Sequence, residues 1–72
     1  MVKPDVASAL YTWLSPQRCA AEIGMSEEFV RQEIREGRLP ASDFGRGRTP
    51  RYRVRPEDWT AFLRERELRR AS

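Results

Sequence analysis

The sequence predicts a small α+β domain: two short helices joined by a tight turn, then a two-stranded β-hairpin and a closing helix. Three observations predict it. Ser15-Pro16 and Ser26 are helix starts, and each is answered by a helix-ending glycine, Gly24 and Gly37. After Leu39-Pro40 the helical spacing gives way to alternation on either side of Gly45-Arg46-Gly47-Arg48-Thr49-Pro50. Beyond Pro56, Trp59, Phe62 and Leu63 return to i, i+3, i+4 spacing.

Taken in order, residues 1–12 form an N-terminal segment with Pro4 and a small-residue mixture, read as a short helical turn or a frayed end. Ser15 caps the first helix and Pro16 suits its first position. Cys19, Ala20 and Ile23 then share one face, and Cys19 is read as a small core residue rather than a redox centre. Gly24 supplies the left-handed residue that stops the helix. Only Met25 separates it from Ser26, the next cap, and Glu27 and Glu28 complement the dipole of the second helix. That helix runs to Arg35 or Glu36, with Val30 and Ile34 on its buried side and Gly37 ending it. Two short helices joined by a Gly-x-Ser turn are the sequence form of a helix-turn-helix. Residues 41–44 and 51–54 are the hairpin strands, the second placing Tyr52 and Val54 inward and Arg51, Arg53 and Arg55 outward. Pro56 opens the last helix, with Glu57 and Asp58 in its first turn and Trp59, Phe62 and Leu63 packing on the first two helices. Trp13 and Tyr52 are likewise expected in the core rather than stacked on bases; Phe44 is assigned to neither role. Arg64-Glu65-Arg66-Glu67 reads as a solvated helix end that frays over 69–72. The domain therefore covers 13–63, with 64–72 a helix end and tail.

With 72 residues, 39% hydrophobic and 35% charged, the chain forms one domain with a core near the lower limit for independent folding. No apolar run approaches the roughly 20 residues of a membrane span and no signal-peptide pattern opens the chain, so a cytoplasmic protein without membrane contact is expected. A single cysteine excludes an internal disulfide. The absence of histidine argues against a zinc site and removes the commonest general base, so no metal, no cofactor, no catalytic residue and no enzyme activity are expected. Fourteen basic residues against eleven acidic give +3, and thirteen of the fourteen are arginine, whose planar fork suits phosphates and guanine edges. Arg46, Arg48, Arg51, Arg53 and Arg55 stand in 45–55 with no acid at all; that stretch carries +5 and the rest of the chain −2. Such a concentration attracts polyanions.

The ordered set Trp13-Leu14-Ser15-Pro16, Ala20-Ala21-Glu22-Ile23-Gly24-Met25-Ser26, Val30, Ile34-Arg35-Glu36-Gly37-Arg38-Leu39-Pro40-Ala41, Arg51-Tyr52-Arg53-Val54 and Asp58-Trp59-Thr60-Ala61-Phe62-Leu63 resembles a winged helix-turn-helix. The match is to the MerR-like family that includes phage excisionases and short excisionase-type DNA-binding domains, and it spans residues 13–63. The resemblance implies that the second helix enters the major groove and that the arginine-bearing hairpin, the wing, reaches phosphates or the adjacent minor groove. By position it implies a recognition-helix face of Glu27, Glu28, Arg31, Gln32 and Arg35, wing contacts from Arg46, Arg48, Arg51 and Arg53, and backbone contacts near Ser15, Arg18 and Ser26. The five helix residues do lie along one side of a 3.6-residue helix, opposite Val30 and Ile34. Arg31 suits guanine, Gln32 adenine and Glu28 the amino group of cytosine. Glu28 is otherwise an orienter of Arg31 or a dipole residue, and Glu27 is read as a dipole or solubility residue. Excisionases carry a Glu-x-x-Arg arrangement here, as in Glu28-Phe29-Val30-Arg31. Two positions depart from the family: Glu33 stands where an aromatic is common and Phe29 where a threonine is. Phe29 either touches thymine methyls or takes over the packing lost at Glu33.

As a member of that family the chain is expected to be an excisionase, a recombination directionality factor that binds attachment-site DNA cooperatively in several copies, bends it and recruits a phage integrase in the bacterial host. Segments 1–11 and 64–72 are the expected contact surfaces between copies or with integrase. A small MerR-like transcription regulator on promoter DNA is the alternative, and an adaptor whose basic hairpin binds an acidic protein is the rival from another class.

Overall fold

The computed structural model describes residues 12–68, so the readings made for 1–11 and for 69–72 lie outside the described residues. Its elements are helix α1 (Pro16–Ile23), helix α2 (Glu27–Arg35), strand β1 (Ser42–Asp43), strand β2 (Tyr52–Arg53) and helix α3 (Pro56–Glu65). Three helices and one antiparallel hairpin make a small α+β fold.

The helix ends follow from their residues. The Ser15 hydroxyl oxygen accepts from the Arg18 amide at 3.1 Å, and Gly24 stops α1 at φ 67°, its N–H turned back on the last carbonyls. Ser26 caps α2 in the same way, accepting from the Phe29 amide at 3.1 Å. α1 and α2 pack against each other. Their shared interior joins Cys19, Ala20, Val30 and Leu39 to Val54, Trp59 and Phe62, with Leu14, Ile23, Phe29 and Ile34 packed around them. Phe29 is half-buried in this packing. The buried indole of Trp59 keeps its N–H satisfied by donating to Glu22 Oε1 at 2.9 Å. Burial pushes the Cys19 thiol up to about 11; Glu22 adds to the rise and Arg18 opposes it. Only a trace of thiolate exists near neutrality, so alkylation of native Cys19 is expected to run at least about tenfold slower than in urea. Equal rates in the two conditions would contradict its burial.

Three expectations are corrected. The hairpin strands are two residues each rather than four, in the register Ser42 with Arg53 and Asp43 with Tyr52. Val54 instead pairs with Leu14, its N–H donating to the Leu14 carbonyl at 2.8 Å and its carbonyl accepting from Leu14 at 2.7 Å. Leu63 is 36% exposed, because only Trp59 and Phe62 of α3 reach the interior. Arg66 is no merely solvated end: its guanidinium lies 3.8 Å from the Phe62 ring centroid and donates to Glu33 Oε1 at 2.7 Å. Glu33, 6% exposed, also accepts a two-pronged grip from Arg38, Nε to Oε1 at 2.9 Å and Nη2 to Oε2 at 2.8 Å. These guanidinium hydrogen bonds hold the Glu33 carboxyl below its ordinary range, against the opposing effect of burial.

Candidate nucleic-acid interface

The polar site residues fall on α2, on the start of α1 and on the hairpin. Their convergence is a cleft of about 280 Å³ where the cap Ser15, Pro16 and Gln17 of α1 and Glu27 and Arg31 of α2 face Thr49, Pro50, Arg51, Tyr52 and Arg53 of the hairpin. Segments more than thirty residues apart in sequence therefore share one concave surface. Five of the expected site residues meet there: Ser15, Glu27, Arg31, Arg51 and Arg53. Tyr52 completes the link between helix and hairpin, its ring centroid 5.9 Å from the Arg31 guanidinium.

The remaining expected residues do not line this cleft. Glu28, Gln32 and Arg35 are exposed on α2. Arg46 and Arg48 sit exposed in the loop between the strands. Arg18 is ion-paired with Glu22 at 3.7 Å, and the hydroxyl oxygen of Ser26 serves as the α2 cap. The Ser15 and Ser26 hydroxyl oxygens accept in their caps, which leaves each O–H proton to donate outward.

The two arginine groups differ in electrostatic state. On α2 each arginine has a carboxylate of its own helix: Arg31 with Glu27 at 2.9 Å, Arg35 with Glu28. Glu28 is thus the orienter of Arg35, not of Arg31, and Glu27 holds Arg31 one turn along the helix. Gln32 donates to Glu36 at 2.7 Å, so its amide is oriented too. On the hairpin, by contrast, none of Arg46, Arg48, Arg51 and Arg53 is ion-paired among the described residues. Arg53 is half-buried rather than fully outward, and donates to the Tyr52 carbonyl at 2.6 Å. A polyanion therefore meets unneutralised charge on the hairpin, while on α2 it must share or displace a carboxylate.

Sequence reasoning missed the residues that shape the hairpin. One Asp43 carboxylate oxygen accepts from the Gly45 amide at 2.8 Å and from the Arg51 amide at 2.9 Å, and these two bonds hold the Asp43 carboxyl below its ordinary range. They tie the strand carrying Arg51 to the turn. Gly45 is pressed so close to the returning chain that a Cβ would lie 2.1 Å from the Thr49 carbonyl oxygen. Asp43-Phe44-Gly45 carries the signal for this turn, since an aspartate commonly accepts from the backbone two residues on.

Among the described residues no helix is long and apolar enough to cross a membrane, and no three of the His, Cys, Asp and Glu side chains are grouped to hold a metal ion. Comparison of the chain with protein-family models, with curated protein sequences and with solved structures finds no match.

Proposed function

We propose that the chain is a winged helix-turn-helix protein that binds double-stranded DNA, with α1 and α2 as the helix-turn-helix and the β1–β2 hairpin as the wing. The observation that carries the reading is the cleft in which Ser15 and Arg31 face Arg51 and Arg53. Its two walls suit the two parts of DNA recognition. Unpaired arginines on the hairpin match phosphates, which fix position. The carboxylate-held Arg31 on α2, with Arg35 and the oriented Gln32 amide exposed outside the cleft on the same helix, matches base edges, which fix sequence. A single module this small has a small footprint and binds weakly by itself, so several copies side by side, or a partner protein such as an integrase, supply the affinity. That behaviour is the excisionase one: a cytoplasmic architectural protein that assembles on attachment-site DNA and performs no chemistry.

Binding to a random duplex should weaken log-linearly as salt rises. Replacing Arg46 and Arg48 together by alanine should weaken cognate and random duplexes alike and reduce the salt slope by roughly 1–2. Arg31→Ala should instead cost about 1–3 kcal/mol on the cognate site and far less on random DNA. Equal losses on both would remove Arg31 as a base reader, and no detectable DNA binding at low salt would end the reading. A footprint on DNA from the protein's own genome tests the excisionase form. Protection beside an integrase gene supports it; protection at a promoter makes the protein a regulator of the same fold.

A further inference from the structure

Phe44 does not behave as the other phenylalanines do. It is 57% exposed, while Phe62 is buried and Phe29 packs against the core. Exposure alone says little about an apolar side chain. What distinguishes Phe44 is that its ring is both exposed and braced. Its ring meets Trp13 edge-to-face, 5.5 Å between centroids at 89°, and Trp13 is in turn faced by the Arg55 guanidinium at 5.1 Å. The backbone beneath is pinned as well: the Phe44 amide donates to the Arg51 carbonyl at 2.9 Å, and the next residue is the tightly enclosed Gly45. The ring flanks a second cleft, of about 330 Å³, shared with Arg46, Thr49 and Arg51. Thr49 and Arg51 also line the cleft between α1, α2 and the hairpin, so the two clefts share part of their walls.

We propose that Phe44 is an aromatic wedge that enters a DNA duplex at a base step from the minor-groove side, while Arg46 and Arg51 hold the flanking phosphates. This inference rests on the DNA-binding reading above. The chemistry of the patch is what such a step needs: an apolar ring to stack on an opened base face, cations on the same cleft, and no carboxylate among its lining residues. Apolar side chains inserted in this way unstack one step and kink the helix, and arginines beside them favour the narrow, electronegative groove. Pyrimidine–purine steps, TA above all, open most readily and are the expected points of entry. The wedge gives a single residue the task of bending, separate from the α2 face and from the loop arginines.

The test uses a short duplex with one TA step whose adenine is replaced by 2-aminopurine, a base that brightens when unstacked. Binding of the full chain at low salt should raise its fluorescence. Phe44→Leu, still an apolar wedge, should keep the rise. Phe44→Ala should lose it even at saturation and bind about tenfold more weakly, with the salt slope unchanged. Its helical circular dichroism and melting temperature report that the fold is intact. Arg46→Ala should flatten the salt slope and keep the rise at saturation. Salt-dependent binding by the wild type without brightening overturns the wedge while leaving the DNA-binding reading in place, as does brightening by Phe44→Ala equal to the wild type. Absence of any wild-type binding overturns both at once.

Discussion

Replacing Arg38 and Arg66 together by methionine is expected to lower the urea midpoint of unfolding by more than either replacement alone. The two guanidinium groups grip Glu33, the one buried carboxylate among the described residues, and their removal leaves it without a counter-charge. Adding Glu33→Leu to it should return most of the loss, since an apolar side chain replaces the stranded charge. Glu33→Leu alone should cost less than the double variant, because the arginines it leaves behind are solvated. A double variant with the urea midpoint of the wild type would show that water already screens the cluster. Acid gives the same information by another route. The folded-state pKa of Glu33 lies below its ordinary value of 4.5, so its contribution is fully present above that pH and is lost as pH falls through the folded value. Stability should therefore decline below about pH 4.5, and Glu33→Gln should flatten that limb of the curve.

Gly45→Ala is expected to be the most damaging single change to the proposed interface. The added methyl would lie 2.1 Å from the Thr49 carbonyl oxygen and 2.8 Å from the Arg51 nitrogen, both backbone atoms of the chain returning toward β2. Neither can swing aside as a side chain would, so the hairpin must open. The fold should lose about 1–3 kcal/mol, with the helices retained. The loop arginines and Arg51 would lose their common placement, and affinity for a duplex at low salt should fall by about tenfold or more. Asp43→Ala should act in the same direction, more mildly, through the loss of its two amide bonds, and Asp43→Asn should largely restore them because it keeps an acceptor oxygen. Unchanged affinity in Gly45→Ala would mean that hairpin geometry does not matter to binding.

The elements legible in the sequence are those whose instructions are local. Ser15 with Gly24, and Ser26 with Gly37, mark helix ends because capping and left-handed residues act within one turn. The interior positions of Cys19, Val30, Val54, Trp59 and Phe62 were likewise legible from spacing alone. What escaped depends on partners distant in sequence. Glu33 looks like a solvated helix residue until Arg66, thirty-three positions away, is seen to reach it. The sequence places Val54 in the hairpin because nothing near it names Leu14 as its partner. Within the site, the residue types and the charge of the hairpin were readable, whereas the choice of carboxylate for each α2 arginine was not. Glu27 and Glu28 each have an arginine within reach on their own helix, at four and seven residues, and only side-chain placement decides between them.

The pairing of Leu14 with Val54 bears on how the chain acquires its structure during synthesis. It closes a stretch of forty residues, and that closure entropy must be met before the bonds return anything. α1 and α2 can flicker into shape as they emerge, but the core they face also needs Val54, Trp59 and Phe62. A nascent chain halted between the helices and the hairpin thus has no stable stopping point. Folding is expected to wait for nearly the whole domain and then complete in one step, so that no half-built form presents its basic hairpin without the helices behind it.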